Sequence, residues 1–145
     1  MDKNLSFQDP NDLVDLAGYL KRALRLDSTG AVRLRAFGSV LAVYVSPIYA
    51  GSLLGDGLTV IGLRTINLTS QNELDSLFTI EDLVASVDKS IENDELALVL
   101  PKTAARVGWA GISPPRQGWV RAGEVEQEKI SAWAKDGIAA VVDAL

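Results

Sequence analysis

The hydrophobic period of this chain changes near residue 30, and that change restricts it to folds that combine helices with a sheet. Before it, Leu13, Leu16, Ala17, Leu20 and Leu24 recur at spacings of three and four and draw one helical stripe. Asp9-Pro10 supplies an N-cap followed by proline at the first helical position. Asp12 and Asp15 lie early and Lys21, Arg22 and Arg25 late, the order that the helix dipole favours. After Asp27-Ser28-Thr29-Gly30 the period becomes two. Val32, Leu34 and Ala36 alternate with Arg33 and Arg35, as in a strand with one solvated face.

The rest of the chain continues in the same mixture. Gly38-Ser39 reads as a short turn, which pairs the first strand with Val40-Leu41-Ala42-Val43-Tyr44-Val45 in a hairpin. Ser46-Pro47 breaks that second strand, and Gly55-Asp56-Gly57 turns into a third from Leu58 to Arg64. An extended piece from Thr65 to Leu68 follows, with Gly62 as a bulge candidate. Thr79-Ile80-Glu81-Asp82 resembles a capping box ahead of the stripe Ile80, Leu83, Val84, Val87 and Ile91. Leu96 to Leu100 reads as a short strand that Pro101 ends, with a helical turn as the alternative. Ile130, Trp133, Ala134, Ile138, Val141, Val142 and Leu145 predict a C-terminal helix, with Gly137 as a point of kinking or division.

These elements predict an α+β fold in a single domain over 1–145, with an antiparallel or mixed sheet of about four strands packed against about three helices. No strand, glycine-rich turn and helix combination matches a phosphate loop or dinucleotide fingerprint.

Composition narrows the chemistry. The 145 residues include no cysteine and no histidine. Thiolate nucleophiles, cysteine-ligated metals and every histidine-based triad are therefore excluded, and no metal site or cofactor is expected. Any catalysis must rest on carboxylates, lysine, tyrosine, serine or threonine, with an oxygen-bound hard cation such as magnesium as the remaining alternative. Fourteen basic against nineteen acidic residues give a net charge of -5, which opposes nucleic acid and anionic membranes as partners. MDKNLSFQDPNDL lacks the pattern of a secretory leader, and no apolar run reaches membrane-spanning length, so a cytoplasmic location is expected.

The most distinctive segment is Val107-Gly108-Trp109-Ala110-Gly111-Ile112-Ser113-Pro114-Pro115-Arg116-Gln117-Gly118-Trp119. Two tryptophans flank a Pro-Pro-Arg loop, an arrangement that offers an aromatic wall and a guanidinium to a planar or anionic ligand. The competing reading packs both rings on the core edge and makes Pro-Pro a rigid turn. Tyr49, at the end of an apolar strand, is a contact candidate. Ser46 has neither the nucleophile-elbow context nor a histidine to activate it. Arg33 and Arg35 could pair with acids or bind phosphate but read by default as a solvated face; under a covering helix the two cations would demand partners. Asp56 reads as turn chemistry, Glu81-Asp82 as charge at a helix N-terminus, and Glu92, Asp94 and Glu95 as chance neighbours among many acids.

The runs Leu13-Val14-Asp15-Leu16, Leu24-Arg25-Leu26-Asp27 and Ala31-Val32-Arg33-Leu34-Arg35, together with Gly108-Trp109-Ala110-Gly111-Ile112-Ser113-Pro114-Pro115-Arg116-Gln117-Gly118-Trp119, resemble small actinobacterial proteins of unknown function. The resemblance covers most of the chain and implies no activity.

The leading expectation is a non-enzymatic binding or assembly module that forms a homo-oligomer, with Trp109, Arg116, Trp119 and Tyr49 as binding residues. An apolar content of 48% leaves room for a partner surface. The alternative is an enzyme independent of histidine and cysteine, acting on a small molecule in a pocket near Tyr49 and the Trp109 to Trp119 loop.

Overall fold

The computed structural model describes residues 3–48, 59–111, 114–115 and 117–144, and it divides into two compact units, Met1–Ala110 and Gly111–Leu145. The first unit runs β1 (Asn4–Ser6), α1 (Pro10–Leu26), β2 (Ala31–Ile48), β3 (Val60–Thr79), α2 (Ile80–Glu92) and β4 (Ala97–Val99), ending in a 3₁₀ turn that extends over Gly108–Gly111. The second unit contains α3 (Gln127–Ala144). The α+β class is as expected.

Both predicted helices of the first unit form for the predicted reasons. Asp9 Oδ1 accepts the Asn11 N–H at 2.8 Å and caps α1. Leu13, Leu16, Ala17, Leu20 and Ala23 bury its stripe. Asp27 ends the helix, its own N–H reaching Ala23 O while its carbonyl accepts the Gly30 N–H at 3.1 Å. Thr79 Oγ1 accepts the Asp82 N–H at 3.1 Å, the cap that the sequence advertises for α2. The helices pack beside each other, joined at the surface by Lys21 Nζ and Asp88 Oδ1 at 2.7 Å.

The sheet departs from expectation. Gly38-Ser39 does not turn the chain: β2 is one strand through Ile48 and pairs along its length with β3, from Ala31↔Thr79 to Ile48↔Val60. Gly38 has φ +61, a left-handed conformation that glycine adopts without the penalty of a side chain. It sits at a register shift in which β2 advances from Gly38 to Val40 while β3 advances from Asn67 to Asn72. The excess residues of β3 carry Leu68 out to an antiparallel bridge with Phe7. Gln8 Nε2 donates to Leu68 O at 3.1 Å and Thr69 Oγ1 to Ser6 O at 3.3 Å. Ser46-Pro47 likewise marks a second irregularity rather than an end, with Ser46 Oγ at 2.9 Å from Ile48 O and 2.8 Å from Val60 O.

β1 is too short to show a sequence period, and it pairs antiparallel with β4, from Asn4↔Val99 to Ser6↔Ala97. The Phe7↔Leu68 bridge connects this two-stranded sheet to the β2–β3 sheet and gives the spatial order β4-β1-β3-β2. A βαββαβ chain in that order has the split βαβ arrangement. α1, α2 and one side of the strands enclose the core around Phe7, Leu16, Leu20, Leu34, Leu41, Leu68, Leu83 and Leu98. No helix among the described residues is long and apolar enough to cross a membrane.

Candidate functional site

The far side of β2 and β3 carries Arg33 and Arg35 opposite Leu77 and Asp75. Their side chains are only 16% and 15% exposed, so the expected solvated face is instead covered. The covering element is the chain beyond β4. The Ala105 N–H donates to Leu77 O at 2.9 Å, and Arg33 Nη1 donates to Ala110 O at 2.6 Å. Desolvated guanidinium groups need acids, and Asp75 supplies one. Arg33 Nε and Nη2 reach its two oxygens at 2.8 and 2.9 Å, and Arg35 Nε lies 3.6 Å from Oδ2. The hydrogen bonds to Asp75 hold the Arg33 guanidinium still more firmly charged, against the opposing effect of burial, and the charge of Asp75 adds to them.

Trp109 belongs to the 3₁₀ turn that Arg33 latches and is half-buried. The guanidinium joined to this turn is thus Arg33, a strand residue distant in sequence. Trp119 belongs to the second unit, is 70% exposed, and its Nε1 donates to Pro115 O at 2.7 Å. The Trp119 ring is thus not packed on the core edge, and its indole instead bonds the backbone of the Pro-Pro segment. Tyr49 and Arg116, as well as the Gly55-Asp56-Gly57 turn, lie outside the described residues.

Among the described residues no group of three or more histidine, cysteine, aspartate or glutamate side chains gathers where it could hold a metal. Glu81 and Asp82 occupy the first turn of α2, the position the helix dipole favours. Burial acts on the phenol of Tyr19, on α1: desolvation pushes it up from its ordinary value, while the charge of Arg64 opposes the shift. Its Oη is buried without a hydrogen-bond partner, and the Arg64 guanidinium lies 5.9 Å from its ring centroid. That direction favours the neutral phenol over a nucleophilic phenolate.

Sequence reasoning foresaw the apolar stripe of α3 but not its exposure. Ile130 is 53% exposed, Trp133 56%, Ile138 66% and Val142 64%, while Val141 is half-buried. The helix is continuous from Gln127 to Ala144 and is not divided at Gly137.

Fold and site together define a small α+β domain in which a covered arginine pair and Asp75 anchor the segment after β4. The chain belongs to the family described as a domain of unknown function, DUF8010, which matches residues 1–111. The match closes at the latched turn and leaves α3 beyond it. Neither the curated proteins nor the solved structures provide a match, and no specific function comes with the family.

Proposed function

We propose that this chain is a non-enzymatic assembly module that forms a homodimer through α3. The observation that carries the reading is the apolar stripe of that helix, centred on Ile130, Ala134 and Val141 and bordered by Trp133, Ile138 and Val142, in which Ile130, Trp133, Ile138 and Val142 are all more than half exposed. Lys129, Asp136 and Asp143 lie on the opposite side by helical geometry. An isolated helix of this length is marginal in water, and Gly137 costs it about 1 kcal/mol against alanine. Burial against a partner supplies the missing stabilisation.

The stripe suits a second copy because its side-chain sizes are symmetric about the middle of the helix. In an antiparallel pair, Ala134 faces Gly137 of the second copy, Ile130 faces Val141, and Trp133 faces Ile138. The small residues let the helices approach at the centre while the larger ones close over them, which is the self-complementarity a two-fold interface requires. Trp119, exposed in the same unit, offers a further apolar contact.

The absence of natural cysteine makes the test direct. Ala134→Cys, on the stripe, is expected to form an intermolecular disulfide under mild oxidation, whereas Asp136→Cys, on the opposite side, is not. Equal crosslinking of both variants, or none of either, contradicts the antiparallel pair.

A further inference from the structure

The two outer edges of the first unit's sheet are built differently. β4, at one edge, covers only Ala97–Val99, and Ser90 Oγ on α2 donates to Ala97 O at 2.9 Å. β2, at the other edge, covers Ala31–Ile48 and pairs only with β3 among the described residues. Its register with β3 is unbroken from Val40↔Asn67 to Val45↔Gly62. In such a ladder every second residue turns its backbone N–H and C=O away from the partner strand. No backbone hydrogen bond from another segment among the described residues reaches this outward side of β2.

Open edges are ordinarily blunted by charge, proline or a bulge. Here the register shift at Gly38 and the proline at Pro47 bracket the stretch, and Val40-Leu41-Ala42-Val43-Tyr44-Val45 between them contains no charge, proline or glycine. Its valines and tyrosine favour strand pairing. Leu41, Val43 and Val45 are buried in the core, so the edge is held in a fixed extended form. A second copy suits this edge, because pairing about a two-fold axis sets each side chain near its own counterpart and tolerates no charge. The size of the α3 contact points the same way. Its stripe of Ile130, Trp133, Ala134, Ile138, Val141 and Val142 falls well short of the roughly 20–30 residues a side of a standard interface, which calls for a second contact.

We propose that in the homodimer the β2 edges of the two copies pair antiparallel over residues 40–45 and join the two sheets into one. This inference rests on the α3 reading: an edge pair this short is marginal by itself, and the paired helices make it an intramolecular contact at high effective concentration. Amide hydrogen exchange of the full chain, read by NMR beside sedimentation velocity, tests it. In the parent dimer every amide of residues 40–45 is expected to be protected. In the Ile130→Asp/Ile138→Asp monomer alternate amides of that stretch should exchange at least about tenfold faster, while the others stay protected by β3.

Ala42→Lys, on the half-buried face of β2, sets the ammonium groups of the two copies as opposite or diagonal neighbours in the new ladder. With amide dispersion retained, it is expected to weaken the dimer by about tenfold or more. Alternating protection that appears with the dimer and is lost with it supports the edge pair. A dimer whose residues 40–45 exchange as fast as those of the monomer overturns the edge pair and leaves the α3 contact standing. A parent chain that is monomeric overturns both. A dimer that persists in the Ile130→Asp/Ile138→Asp variant with these amides protected supports the edge pair and overturns its dependence on α3.

Discussion

The contact between α1 and β3 at Tyr19 and Gly62 allows a sharp test of the packing. A Cβ added at Gly62 falls 2.9 Å from Tyr19 Oη, closer than real contacts, whereas its distance to Val45 Cγ2 is an ordinary 3.5 Å. Gly62→Ala is therefore expected to overpack this one point and cost about 1–2 kcal/mol. Tyr19→Phe removes a buried hydroxyl that has no partner, which is expected to stabilise the fold by about 1 kcal/mol. With the hydroxyl gone, the alanine has room and its lower chain entropy becomes a gain of about 0.5 kcal/mol. The double variant is then more stable than the sum of the singles by about 1–3 kcal/mol. Urea unfolding followed by tryptophan fluorescence and far-UV circular dichroism measures the four corners of the cycle. Additivity within about 0.5 kcal/mol would refute the contact, and destabilisation by Tyr19→Phe alone would refute the orphaned hydroxyl.

Other perturbations test separate parts of the account. Asp75→Ala leaves two covered guanidinium groups without their acid and is expected to cost about 1–3 kcal/mol in urea unfolding, with faster amide exchange at Ala105; a loss under about 0.5 kcal/mol contradicts the latch. Gly38→Ala forces a side chain into a left-handed conformation and is expected to cost about 1–2 kcal/mol by the same assay, and a neutral result contradicts the bulge. The phenol of Tyr19 is raised in the folded state, so above about pH 10 the unfolded chain loses its proton first and stability falls as pH rises toward the folded value. Tyr19→Phe should flatten that alkaline decline in urea midpoints, and an unchanged slope contradicts the burial. Trp119→Ala is expected to shift the urea midpoint little, because the ring is mostly exposed, whereas Trp109→Ala should lower it.

The helices were legible because their signals are local. Asp9-Pro10 and Thr79 cap helices that each carry an apolar stripe, and those stripes supply the buried apolar residues of both helices. The sheet was legible only where one face is apolar. Thr69 to Asn72 carry no hydrophobic alternation because β3 there leaves β2 for β1, and a polar edge looks like a loop. Gly38 was misread because glycine serves a turn and a bulge equally well, and the choice depends on a partner strand far along the chain. The arginine alternation was visible, but what covers it was not: Ala110 and Asp75 reach Arg33 from 77 and 42 residues away. Trp109 and Trp119 stood out by composition, yet their proximity in sequence hid that they belong to different units. For α3, periodicity announced an apolar face but could not distinguish a core-packed stripe from an exposed one.

Sedimentation velocity of the full chain over a wide concentration range, beside Ile130→Asp/Ile138→Asp, tests the central proposal most directly. A concentration-dependent dimer in the parent chain that becomes a monomer in the variant, with near-ultraviolet circular dichroism of the first unit retained, is the predicted result. A parent chain that stays monomeric throughout, or a dimer indifferent to both substitutions, would contradict assembly through α3.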